Sequence, residues 1–336
     1  MTHGQKRLGF FTRLLDSVPA GERYRLAEEQ ISYAEALGYE TAWVAQHHFH
    51  PVEGGLPSPF VFLANLAAKT KAIRLGTGVI TLPMENPVRV AEDAAVLDLL
   101  SNGRLELGFG TGGTRESFEV FGVDPDKRGD VYAKNLTVLR RAFSGEDLWG
   151  GNHLYPAAPH LLKRFWMATF SPFGGKLAGE AGDGLMLSRT QPRHSENPDA
   201  SLWDIQNPII DAYLAALPKG VTPRIMASRS LFVSTDRAHA LQLAEKGLKS
   251  AAERFGRAGQ KAKSDSLEDL INAVDQHVGT PDDVIKSLKR DTALQRATDI
   301  VFQVHSVDPP HEDIMKSIAL TAKEVAPALG IPVLQH

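Results

Sequence analysis

No cysteine occurs among the 336 residues. Disulfides, thiolate metal sites and a cysteine nucleophile are therefore excluded. Long apolar runs are missing too: none approaches the ~20 residues that a bilayer-spanning helix needs. The opening stretch, MTHGQKRLGFFTRL, has neither the apolar core nor the cleavage site of a signal peptide, so a cytoplasmic location is expected. Charge of one sign is scarce, with a net charge of −3 when His is neutral. Such a balance offers no field to attract nucleic acid or an anionic membrane, and neither is expected as a partner. What remains is a soluble globular composition, 43% hydrophobic and 23% charged. The length suits one large α/β barrel or two ordinary domains.

What is present is a rhythm. Strands are expected at Arg7–Thr12, Thr41–Ala45, Ile73–Leu82, Arg104–Phe109, Arg164–Ala168, Gly184–Ser188, Arg224–Val233 and Thr298–Val304. Helices are expected between them, at Glu22–Leu37, Phe60–Lys71, Pro87–Leu100, Val131–Phe143, Gly174–Ala181, Leu202–Leu217 and Asp236–Phe255, with a last one at Glu312–Ala326. Eight strand–helix units point to an α/β chain folded as a single (β/α)8 TIM barrel over residues 1–336, with a doubly wound sheet as the structural rival. Segments 190–201 and 256–283 break the alternation and read as insertions that lid a pocket. The second is rich in Lys, Ala, Ser and Asp and is expected to be mobile.

Parallel α/β folds carry their chemistry where strands end. Gln46-His47-His48 follows the second strand directly. A His there can donate a hydrogen bond or move a proton near neutral pH; the alternative is a pair of loop histidines that satisfy local backbone. His48-Phe49-His50 is an H-x-H pair, but only His305 offers a further ligand at a later strand end. Zinc wants three or four ligands, so no metal is expected. Gly108-Phe109-Gly110-Thr111-Gly112-Gly113 matches G-x-G-x-x-G after a strand. Three strand–helix units precede it, no clear helix follows before Asp130, and no strand ending in an acid comes after. A nucleotide fingerprint needs the opposite of each. The glycines read instead as backbone passing close beside a flat or phosphorylated ligand, or as a flexible loop. Thr169-Phe170-Ser171-Pro172-Phe173-Gly174-Gly175 precedes a short helix and reads either as a phosphate cradle or as simple helix capping. Ser188-Arg189 ends the sixth strand, where Arg binds an anion or pairs with a carboxylate. Arg229 lies inside the seventh strand, so it must meet a carboxylate or a polar cavity.

Taken together these residues resemble the bacterial luciferase-like flavin monooxygenases. The resemblance is carried by WVAQHHF at 43–49, LGTGVITLP with PVR-x-AED at 75–93, S-x-GRLELG-x-G at 101–110 and F-x-VFG at 118–122. It continues more weakly through AGDGLMLS at 181–188 and VAPAL at 325–329. It implies a (β/α)8 barrel, a homodimer, and reduced FMN, or in some branches a deazaflavin, at the C-terminal face. It implies that His47 is the active-site histidine. Gly78-Val79 falls where members often have a non-prolyl cis peptide under the flavin ring. Ser171 and Gly174 look like the flavin phosphate loop, and Ser188 and Arg189 lie by the ring edge or the substrate mouth. Gly110 and Thr111 fall where luciferase has a reactive Cys and a phosphate-binding Arg, which speaks against the light reaction. Phe170 stands in place of a Glu, and Arg189 in place of a Trp, which hints at a more polar or anionic substrate.

The expected function is oxygenation of a small organic substrate by reduced FMN and O2. No nicotinamide site is visible, so a separate flavin reductase is expected to supply the reduced flavin. Hydride transfer from a flavin or deazaflavin on the same barrel, and non-catalytic flavin binding, are the alternatives.

Overall fold

The computed structural model describes residues 6–257, 264, 266–304 and 309–334. Its strands are β1 (Arg7–Thr12), β2 (Thr41–Val44), β3 (Arg74–Thr81), β4 (Leu105–Gly110), β5 (Phe165–Ala168), β6 (Gly184–Leu187), β7 (Ile225–Val233), β8 (Gln276–Gly279) and β9 (Asp299–Gln303). All pair in parallel. The sheet runs β6-β5-β4-β3-β2-β1-β9-β7 and closes through a β6–β7 pairing, while β8 hangs on the far side of β7. Eight strands thus form the barrel that the alternation predicts, and the doubly wound rival is set aside.

The helices flank it in order: α1 (Ala20–Ala36), α2 (Pro59–Lys69), α3 (Pro87–Leu100), α4 (Arg115–Val120), α5 (Arg128–Ser144), α6 (Pro172–Glu180), α7 (Leu202–Ala216), α8 (Arg237–Arg257), α9 (Leu267–Ala273), α10 (Pro281–Leu288), α11 (Thr292–Arg296) and α12 (His311–Leu320). Proline opens α2, α3, α6 and α10, where its missing N–H is no loss. Asn86 caps α3 by accepting from the amides of Val88 and Arg89.

Alternate strand residues point inward. Phe11, Trp43, Trp166, Met186, Met226 and Val301 form the barrel's interior cluster, while a larger apolar cluster fills the space between strands and helices. The indoles of Trp43 and Trp166 meet edge-to-face, 5.7 Å between centroids. Below them, at the N-terminal end, buried Glu106 accepts from Arg74 Nε at 2.6 Å, Arg164 Nη1 at 3.2 Å and Trp166 Nε1 at 2.8 Å. Charge therefore seals one end of the barrel and leaves the other for chemistry.

One expectation changes. Segment 256–283 reads as a mobile insertion in sequence, yet α9, β8 and the start of α10 lie in it; residues 258–263 and 265 are outside the described residues. β8 extends the sheet along the C-terminal half of β7, pairing Ser230 with Gln276 through Val233 with Gly279, which gives its backbone hydrogen-bond partners. Segment 190–201 is irregular as expected, and Arg193 ties it to Asp275 at 2.6 Å.

Candidate functional site

β2 ends at Val44. Gln46, buried just beyond it, accepts from the Thr81 amide at 2.8 Å and donates to Glu85 Oε1 at 2.6 Å. These bonds staple the end of β2 to the end of β3. The next residue, His47, donates its amide to Leu56 O at 3.0 Å, so the loop from His48 to Gly55 returns beneath its ring. That loop is strapped on both sides. Arg13, one residue past β1, donates to Glu53 O at 3.2 Å, and Thr114 donates its hydroxyl to Glu53 Oε2 at 2.8 Å. His47 Nδ1 lies 4.0 Å from the same carboxylate oxygen. Burial, followed by the cationic Arg13, by His48 and by Arg189, pushes the His47 pKa down to about 3. His47 is therefore a neutral imidazole near pH 7, a donor at one nitrogen and an acceptor at the other.

A cavity of about 160 Å³ opens beside His47. Its walls are Ala45, His48, the Gly78–Val79 step, Met84, the Gly112–Thr114 segment and Ser117. The Gly78–Val79 peptide is cis. Of the residues singled out by sequence, His47, Gly78 and Val79 thus share one cavity. Gly110 ends β4 beside it, with exposed Thr111 next. Ser171 and Gly174 lie apart, at the start of α6, where Ser171 Oγ accepts from the Gly174 amide at 3.1 Å. Ser188 and half-buried Arg189 follow β6; Arg189 donates to Ser230 Oγ at 3.5 Å and is near enough to His47 to act on its charge. None of these last six is in the cavity wall, although all sit at the C-terminal face.

The glycine-rich loop packs against the barrel, and one expectation about it is corrected. An ideal Cβ on Gly108 falls 2.7 Å from Met186 Sδ, on Gly110 2.7 Å from Val79 Cγ2, and on Gly112 2.5 Å from Thr81 Cγ2. Protein neighbours crowd these three, whereas nothing lies close to Gly113. A helix also follows the loop at once: α4 begins at Arg115, well before Asp130. Its single turn and a half is too short to show a period.

Arg229 meets a carboxylate, as burial demands. Its Nε donates to Asp291 Oδ2 at 2.6 Å and its Nη2 to Gln206 Oε1 at 2.9 Å, while Gln206 Nε2 donates to Ser188 O at 2.7 Å. The strand-end carbonyl next to Arg189 is thereby fixed from behind. Sequence reasoning missed Arg13, Glu53, Thr114 and Ser117. Only Arg13 carried a signal, its place directly after β1. His305 lies outside the described residues, among which no group of three metal-ligating side chains occurs.

A parallel barrel with a neutral histidine, a cis peptide and a cavity gathered at its strand C-termini has the layout of a barrel enzyme. Residues 8–296 match the model of the luciferase-like monooxygenase family, and the chain belongs to that family. A curated relative, 4-hydroxyprotoasukamycin monooxygenase of Streptomyces nodosus subsp. asukaensis, is 33% identical over 215 residues, covering 59% of this chain and 58% of that protein. The chain spans about half the length of the curated relatives it matches. Two solved structures share the fold. The oxygenating constituent of 3,6-diketocamphane monooxygenase from Pseudomonas putida, in complex with FMN, has a TM-score of 0.75 at 18% identity, covering 99% of this chain and 100% of that one. The coenzyme F420-dependent tetrahydromethanopterin reductase of Methanopyrus kandleri has a TM-score of 0.67 at 19% identity, covering 97% and 100%.

Proposed function

We propose that this protein oxygenates a small organic substrate with reduced FMN and O2, the reduced flavin coming from a separate reductase. Family membership and the His47 cavity carry this reading. FMN is favoured because an FMN complex stands among the structures that share the fold.

The residues present fit a flavin phosphate. The hydroxyls of Thr169 and Ser171 stand at the N-terminus of α6, where they accept from the Ser171 and Gly174 amides; a phosphate would take over from them there, since a helix N-terminus favours an anion. The tight fit of Gly174 against Thr169, whose Cβ lies 2.7 Å from an ideal Cβ at 174, keeps that place open. Gly78 and Val79 would support the flavin ring, with Gly110, Thr111, Ser188 and Arg189 around it. A bound reduced flavin would supply the two electrons that O2 chemistry needs, one oxygen atom going to the substrate and the other to water. The chain's own part is to position and to shield. His47, neutral and with its backbone amide bound to Leu56 O, presents a hydrogen bond to the reacting oxygen or moves its proton. Ala45, Val79 and Met84 keep that space apolar, which limits water.

Hydride transfer from a deazaflavin is the second reading, favoured by the likeness to an F420-dependent reductase. The two differ in product. Incubating substrate panels with a free reductase, FMN and ¹⁸O₂ gives a product with one labelled oxygen under the first reading. Under the second, with reduced deazaflavin, it gives an unlabelled reduced product. Pairing as a homodimer is proposed as well, through exposed Val61 on α2 and Val96, Leu99 and Leu100 on the adjacent α3. A sedimentation measurement showing monomer contradicts that pairing.

A further inference from the structure

Two neighbours in one loop set how the His47 ring is turned. Its Nδ1 lies 4.0 Å from Glu53 Oε2. Gly54 lies against the other side of the ring: an ideal Cβ there would fall 2.7 Å from His47 Cγ and closer still to Cδ2. The edge left over is Cε1 and Nε2, and the side chain is part-exposed where it lines the cavity. Glu53 is itself held in place. Arg13 donates to its backbone carbonyl at 3.2 Å, and the Thr114 hydroxyl donates to Oε2 at 2.8 Å. The carboxylate is therefore aimed at the ring from two flanking segments, one after β1 and one after β4. Gln46 does not compete for the ring, because its amide is bound to Thr81, Glu85 and Pro57.

We propose that Glu53 is a positioning residue: it holds the proton of the neutral His47 imidazole on Nδ1, so that Nε2 presents a bare lone pair to the cavity. A carboxylate only accepts hydrogen bonds. It attracts the N–H of the ring and repels its lone pair, and the partner of one ring nitrogen decides which of the two carries the proton. At 4.0 Å the contact is electrostatic and longer than a hydrogen bond. Contacts of catalytic groups often tighten into hydrogen bonds only when a ligand fills the site. The pair is not an ion pair, because burial, then Arg13, His48 and Arg189, keep the ring neutral at pH 7. Glu53 thus acts on where the proton sits and not on whether the ring is charged. The consequence is directional. His47 can take a proton from a hydroxyl in the cavity but cannot give one first, which narrows its part in the reaction. That consequence rests on the oxygenase reading; the position of the proton does not.

The test reads the tautomer itself. The full chain, labelled with ¹⁵N-histidine, is followed at pH 7 by two-bond ¹H–¹⁵N correlation NMR, with and without FMN. The signal missing from His47→Gln identifies His47 among the 12 histidines. The wild type should show Nδ1 protonated and Nε2 bare, the reverse of free histidine, which carries the proton mainly on Nε2. In Glu53→Gln the amide still accepts from Thr114 but can turn either a donor or an acceptor to the ring. The tautomer ratio should then move toward protonated Nε2 by about tenfold, as expected when a hydrogen bond to a charged group is lost. Thr114→Val keeps the carboxylate but frees it to turn, and should move the ratio the same way by less. Nε2 protonated in the wild type, or a ratio that Glu53→Gln leaves unchanged, overturns the proposal. If Glu53→Gln does not fold, the wild-type spectrum and an unmoved ratio in Thr114→Val overturn it in the same way. FMN binding read in the same samples separates the two proposals. Nδ1 protonated without flavin binding sinks the oxygenase reading alone, and flavin binding with Nε2 protonated sinks this one alone.

Discussion

The imidazole of His47 rests against the backbone of Gly54: an ideal Cβ at position 54 would fall 2.7 Å from His47 Cγ. Gly54 has no positive φ, so alanine is otherwise acceptable there. Gly54→Ala should therefore displace the His47 ring rather than strain the turn. A shift of about 1 Å at a reacting group can cost on the order of 10²-fold in rate. The expected result is a loss of that size in substrate oxidation, with little change in melting temperature. Full activity in Gly54→Ala removes His47 from the reaction.

The same histidine makes stability pH-dependent. Its folded pKa of about 3 lies below the unfolded 6.5, so between those values the unfolded chain binds the proton and the folded one does not. Stability is complete above about pH 6.5 and falls as pH drops toward 3. Buried His277, with a pKa pushed down to about 4 chiefly by burial, adds to the fall. In His47→Gln the drop in melting temperature from pH 7 to pH 5 should be smaller than in the wild type. Because Arg189 contributes to the depression, Arg189→Ala should raise the His47 titration seen by NMR. An unchanged titration separates Arg189 from the site.

Arg229 and Asp291 are both almost fully enclosed and meet at 2.6 Å. Removing one partner leaves the other charge buried, at a cost of about 3–5 kcal/mol. Asp291→Ala should lower denaturant stability by that amount. It should also loosen Ser188, through Gln206, and so weaken flavin binding. In a double-mutant cycle, Arg229→Met should restore part of the loss. A loss below about 1 kcal/mol in Asp291→Ala contradicts this account.

How much of this was legible in sequence differs by element. Strands β1 to β7 and β9 announce themselves because each is apolar and ends in a polar or glycine-rich break. β8, QHVG, does not: four residues with two polar side chains carry no alternation, and only pairing with β7 makes them a strand. The His47 loop was visible because a strand stops there, whereas Glu53, which ties it to Arg13 and Thr114, was six residues further on in a turn with no pattern. The need of Arg229 for a carboxylate could be stated, but its partner is 62 residues away and spacing does not encode it. Gly108, Gly110 and Gly112 pack against the Thr77 carbonyl, Val79 and Thr81, contacts that exist only once the barrel has closed.

The central claim, that this face of the barrel works with reduced FMN, is tested most directly by anaerobic titration of the protein with FMN, reduced FMN and the deazaflavin. Ser171→Ala should be titrated alongside. Reduced FMN should bind most tightly, and more weakly in Ser171→Ala, where a hydroxyl of the phosphate cradle is lost. Preference for the deazaflavin, or no flavin binding at all, contradicts the account.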